Sequence, residues 1–283
     1  MPANCAASAH PAASTDTTAW EAELTLGFSQ RGDKTALVNR SHRGPLTVQR
    51  PFYPEGEICH VYLLHPPGGV VAGDRLTINT NANTAAQALI TTPAAGKFYR
   101  SGGGEGRQTV NLTVANGASL EWLPQETIVY DGARLSANMH IELAEQSRFV
   151  GWEITALGRP AAGEGFSDGH AELNWRIQRD GRLFYLERQH LDAQAFQARW
   201  GLAGHSACGT MFVYPATPLH LEAVQALIGE KPNRGVTLIE GLLICRGLDR
   251  RADLLKGFFE RVWGLVRGDV VGKEVCAPRI WAT

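Results

Sequence analysis

The feature that most constrains this chain is a hydrophobic period of two, running from Trp20 to about Pro215 and broken at short intervals by Gly, Pro, Asn and Asp clusters. Successive side chains of a strand point to opposite faces, so the pattern commits this stretch to β structure with a buried and a wet face. In "TVNLTV" it predicts Val110, Leu112 and Val114 facing a core, with Thr109, Asn111 and Thr113 outward. "HAELNWRIQ" repeats the pattern with Ala171, Leu173, Trp175 and Ile177 inside. Three other stretches are apolar on both faces: "ICHVYLLH" (58–65), "RFVGWEITAL" (148–157) and "GRLFYLERQHL" (181–191). These predict central strands or strands covered by a partner. The 31 glycines, about 11% of the chain against a usual 7% or so, supply tight turns, and "SGGGEG" at 101–106 reads as a loop. No internal repeat supports a regular solenoid.

After Pro215 the period changes. "TPLHLEAVQALIGE" places Thr217 as N-cap, Pro218 at the first helical position, and Leu221, Val224, Leu227 and Ile228 on one stripe. "GVTLIEGLLICRG" returns to strand. "DRRADLLKGFFERVWGLVRG" is helical again, with Arg267 and Gly268 expected to close it. The expected fold is therefore mainly β: a large two-layer antiparallel or mixed architecture with two α-helices in the C-terminal third. One domain over 19–283 is expected behind a tail, 1–18, whose small polar residues lack a signal peptide's basic start and apolar run and read as disordered.

Composition narrows the function. A formal net charge of −1 with no dense Lys/Arg run argues against nucleic acid, and no apolar run reaches the roughly 18 residues of a membrane span. Five scattered cysteines without a CxxC pair fit a reducing cytoplasm better than a disulfide framework or a zinc site. Gly96-Lys97 is followed by Phe98, where a phosphate loop needs Ser or Thr, and no nucleophile elbow or HExxH motif occurs. The expectation is a protein that is not an enzyme and holds no tightly bound cofactor.

Metal-ligating candidates fall in the apolar strands. Period two puts Glu57, Cys59 and His65 on one face of 57–65 and His60 on the other. A carboxylate, a thiolate and an imidazole together suit a borderline metal, although a buried thiol with two hydrogen-bonded histidines explains the same residues. Glu153 and Glu187 sit inside apolar strands, and Asp74 follows the bend "GGVVAGD". Burying an unpaired carboxylate costs several kcal/mol, so each must be ion-paired, protonated or in contact with a wet cavity. Arg148 and Arg188 are the nearest ion-pair candidates in sequence.

The segment "PLTVQRPFYPEGEICHVYLLHPPGGVVAGDRL" (45–76) resembles the urease accessory protein D family, UreD, called UreH in some bacteria. The likeness continues in "TTPAAGKFYRS", "LEWLPQETIVYDGA", "GRPAAGEGFSDG", "MFVYPA" and the terminal "PRIW". It implies a urease maturation factor: a scaffold that links UreF and the GTPase UreG to the urease apoenzyme and assists nickel delivery, an internal channel being one route. The alternative it leaves open is a purely structural adaptor that alters apo-urease without conducting nickel. A conduit needs ligands that replace hydration yet release the ion, which favours oxygens. Glu57, Asp74, Glu153 and Glu187 are the expected transient nickel path, with Cys59, His60 and His65 as weaker candidates. Gly96 is expected to line a gap without liganding. Trp263, Arg279 and Trp281 are the expected partner contacts.

Overall fold

The alternation and its glycine turns resolve into strands throughout residues 19–282, which the computed structural model describes. The expected tail, 1–18, lies outside the described residues. The chain opens with β1 (Glu21–Arg31), β2 (Lys34–Arg43), the two-residue β3 (Thr47–Val48) and β4 (Cys59–Leu64). It then passes through β5 (Arg75–Ala82), β6 (Gln87–Thr91), β7 (Gly96–Phe98), β8 (Gly106–Val114), β9 (Ser119–Trp122) and β10 (Thr127–Val129). After β11 (Arg134–Leu143) and β12 (Arg148–Leu157), β13 (His170–Arg179) and β14 (Arg182–Asp192) form a hairpin. The one-turn α1 (Ala193–Gln197), β15 (Ala207–Tyr214), α2 (Pro218–Ile228), the hairpin of β16 (Arg234–Ile239) and β17 (Leu242–Asp249), and α3 (Ala252–Val271) complete it.

These strands build two mixed sheets. The first has the order β14-β13-β11-β8-β5-β1-β2; the second runs β16-β17-β15-β12-β9-β6-β4-β3, with β7 and β10 beside it. The pairs β5–β6, β8–β9 and β11–β12 each send one strand to either sheet, so successive rungs stack in parallel as in a solenoid. The expectation of no solenoid is corrected here, and the reason is physical. The rungs repeat a backbone path, while one stacked position holds Ile78, Val110, Met139 and Trp175 in turn, so no side-chain repeat exists to detect.

One core lies between the sheets; a second lies between the ten-stranded sheet and helices α2 and α3. β12 sits between the two cores, which is why both of its faces are apolar, whereas β4 gives Cys59, Val61 and Leu63 to the inter-sheet core and turns His60 and Tyr62 the other way. In β12, Phe149 and Leu157 join the inter-sheet core, and Val150, Trp152 and Ile154 join the helical one. β14 departs from the central alternative of the expectation. It is an edge strand with Leu183 and Leu186 about half exposed, and a bulge opposite it between Ile177 and Gln178 shifts the pairing.

The helices follow their predicted starts. Pro218 opens α2, and the Thr217 N–H donates to His220 Nδ1 at 3.1 Å. α3 runs past Arg267 and Gly268 to Val271 and closes on Gly272 at φ +80°. The helix runs one turn beyond the expected end, because Arg267 is wholly buried and is not a cation facing solvent at a helix terminus.

Candidate functional site

Polar side chains at inward positions keep the inter-sheet core from closing. β12 turns Glu153 and Thr155 toward the opposite sheet, between the apolar Phe149 and Leu157. A cavity of about 460 Å³ lies on one side, walled by Glu153, Thr155, Trp175, Gln189, Cys208 and Arg246. A second, of about 300 Å³, is walled by His65, Gly96, Gln108, Thr127 and again Glu153. Between them is a gap of about 10 Å³ bounded by Phe98, Gln108, Thr127, Leu173, Thr155 and Glu153, about the room of one water molecule. Glu153 is the side chain common to all three.

Glu153 has no ion-pair partner among the described residues. Burial pushes its carboxyl up to about 7, against a smaller opposing pull from the nearby Trp175 side chain. It is therefore poised between protonated and charged near neutral pH, where a cation competes directly with the proton. The thiols differ. Burial, reinforced by the charge of Glu187, pushes Cys208 up to about 12, and burial also raises Cys59. Both stay protonated at neutral pH and are poor metal ligands. His65 is held neutral by burial, which outweighs the nearby charge of Asp74. The donors lining the two cavities thus include the oxygens of Glu153, Gln108, Thr127 and Thr155 and the imidazoles of His65 and His190, a set that suits weak, exchangeable coordination of a divalent ion.

The other sequence candidates do not converge on Glu153. Glu57 lies before β4, half exposed, and pairs with Lys273 at 2.6 Å; it therefore does not share a face with Cys59. Cys59 faces the inter-sheet core. Asp74 is buried, with one oxygen accepting the Trp20 N–H and the other the Val71 N–H, both at 3.0 Å; it fixes a bend and lines neither cavity. Glu187 accepts from Gln189 at 2.7 Å and pairs with Arg246 at 2.6 Å, tying β14 to β17 across the two sheets. Its partner is thus Arg246, and neither Arg148 nor Arg188. Among the described residues no three His, Cys, Asp or Glu side chains converge on a metal-sized point.

A buried network escaped the sequence reading. Arg267 of α3 donates to both oxygens of Glu121 at 3.0 Å and to both of Glu55 at 2.7 and 2.8 Å. His60 lies 2.6 Å from Glu55, and the Trp263 indole donates to Glu121 at 2.6 Å. His60 is accordingly a structural residue. Trp263 is 1% exposed and Trp281 packs against it and donates to Thr91 at 2.8 Å. Both tryptophans hold the chain's own C-terminus in place; Arg279 is exposed. The available signal was a Glu within the apolar "SLEWL" and an Arg within an apolar helical stripe. For the passage, the signal was Gln108, which shares the inward period of Val110 and Leu112.

A family model described as UreD urease accessory protein matches residues 21–282. The urease accessory protein UreD of Dechloromonas aromatica is 42% identical over 273 residues, covering 93% of this chain and 95% of its own. That of Pseudomonas putida is 44% identical with 93% and 95% covered, and that of Aliivibrio fischeri strain ES114 is 39% identical with 96% and 100% covered. A match over nearly the whole described chain, and relatives near 40% identity end to end, show that the chain belongs to the UreD family of urease accessory proteins.

Proposed function

We propose that this chain conducts nickel(II), its cargo, through the space between the two sheets and delivers it to apo-urease while docked to UreF and UreG. The observation that carries this reading is that two cavities on opposite sides of the interior meet at one unpaired carboxylate, Glu153. At a gap with room for about one water, a hydrated ion must shed most of its shell. The oxygens of Glu153, Gln108, Thr127 and Thr155 replace the lost water, and none is part of a closed cage that would retain the ion. UreG supplies nucleotide hydrolysis, consistent with a chain in which no phosphate loop is legible.

The test is Glu153→Gln in the reconstituted maturation complex. Gln keeps the shape and removes the charge, so assembly with UreF, UreG and urease should be retained while nickel per urease active site falls several-fold. Normal nickel content in that variant would favour the adaptor reading, in which the chain props apo-urease open and nickel travels elsewhere.

A further inference from the structure

Outside the passage, the starts of four neighbouring strands of the seven-stranded sheet gather cations. Arg75 of β5 and Arg107 of β8 stand opposite each other in register, as do Arg134 of β11 and His170 of β13. Adjacent strands are roughly 4.8 Å apart, so the first pair sets two guanidiniums side by side. Like charges placed directly opposite are unfavourable. The neighbouring carboxylates do not offset them fully. Glu21, in register with Arg75, is taken by Arg43 at 2.9 Å. Glu105 is shared between Arg107 at 3.3 Å and His170 at 3.5 Å. The Arg75 guanidinium has no ion-pair partner among the described residues.

These side chains line a cleft of about 370 Å³ together with Gly73 and Gly103. Its rim is the glycine loop 101–105. Arg134 donates to the Gly103 carbonyl at 3.0 Å, and the Gly103 N–H donates to Ser101 Oγ at 3.1 Å. The amides of Gly102 and Gly104 donate to no described group. Three guanidinium forks and an imidazole are donors with which proteins hold oxyanions, and one resident carboxylate leaves the cleft net positive in a chain of net charge −1.

We propose that this cleft is a binding site for a multiply charged oxyanion of the phosphate type. The ligand displaces Glu105 from Arg107 and spans Arg75 and Arg107, with Arg134 and His170 below. The site is separate from the passage: none of its residues lines either cavity around Glu153.

The experiment is a thermal-shift and calorimetric titration of the full chain, free of any nucleotide-hydrolysing partner, using inorganic pyrophosphate and inorganic phosphate against sodium chloride at matched ionic strength. Saturable binding is expected, tighter for pyrophosphate than for phosphate. Arg75→Gln with Arg107→Gln should weaken it at least tenfold. Glu105→Gln, which removes the competing carboxylate, should tighten it; a disordered or purely structural loop would give no such gain. The proposal is overturned by a response no larger than that of chloride, by equal affinity in the double variant, or by a Glu-rich peptide binding where both phosphates do not. Should the double variant unfold, failure of Glu105→Gln to tighten binding overturns it equally.

Discussion

At the scale of single residues, the burial of Glu153 bears both on stability and on the proposed conduction of nickel. Its folded pKa of about 7 lies above the ordinary value of 4.5. Below about pH 4.5 the carboxyl is protonated in both the folded and the unfolded chain and costs nothing. Between pH 4.5 and 7 the unfolded chain ionises first, so folded stability falls as pH rises, and above pH 7 the loss is complete. The shift corresponds to about 3 kcal/mol as an upper bound, reduced by water in the adjoining cavities. Glu153→Gln should therefore raise the melting temperature at pH 8, leave it unchanged near pH 4, and flatten the profile between. Denaturation of both proteins across that range checks it, and parallel profiles would show that Glu153 is not strained by burial. The same proton competes with nickel, so delivery by the native chain should rise as pH increases through 7. In the Gln variant that pH dependence should vanish.

At the scale of elements, α3 is fastened by charge as well as by its apolar face. Burial works to raise the Glu55 carboxyl, but hydrogen bonds from His60 and Arg267 outweigh it and hold it below the usual range. A depressed folded pKa contributes stability that is present above the unfolded value and lost as pH falls through the folded one, so α3 should loosen in acid. Arg267→Met strands two buried carboxylates and should cost about 3 to 5 kcal/mol; an unchanged melting temperature would show that the network is wet. Truncation after Pro278 removes the Trp281 indole from Thr91 and from its contacts with Trp152 and Trp263. It should lower thermal stability and complex yield together, whereas a loss of yield at full stability would instead make the terminus a partner contact. The existence of α3 was legible because Leu255, Phe258, Phe259, Val262 and Val266 recur at helical spacing. Its end was not, because an arginine near a C-terminus reads as a dipole partner until its burial is seen. For β14 the apolar run was visible but its place at the sheet edge was not, since edge position depends on pairing between distant segments.

At the scale of the whole molecule, the two-sheet coil creates the two cavities that meet at Glu153, and sequence could mark that carboxylate but not the course of the space around it. Glu153 was recognisable as a charge in an apolar strand. Asp74, Glu57 and Glu187 carry the same local signature, yet their charges are taken by backbone amides, Lys273 and Arg246, partners set by chain folding rather than spacing. A blockade without loss of charge distinguishes conduction from propping. Gly96 lines the second cavity at a strand of ordinary φ, and a Cβ there would meet only Thr127 Oγ1, at 3.6 Å. Gly96→Ala should thus be silent, whereas Gly96→Leu projects an apolar side chain into the cavity without backbone strain. Complex yield with UreF, UreG and urease should stay near that of the native chain in both variants, while nickel per urease active site falls with Leu alone. Combined with Glu153→Gln, the Leu variant should add little, because both act on one path and effects along a shared path are not additive. Full nickel loading by Gly96→Leu, with the cavity shown to be filled, would remove the second cavity from the route. Additive losses in the double variant would mean that Glu153 and Gly96 serve separate processes.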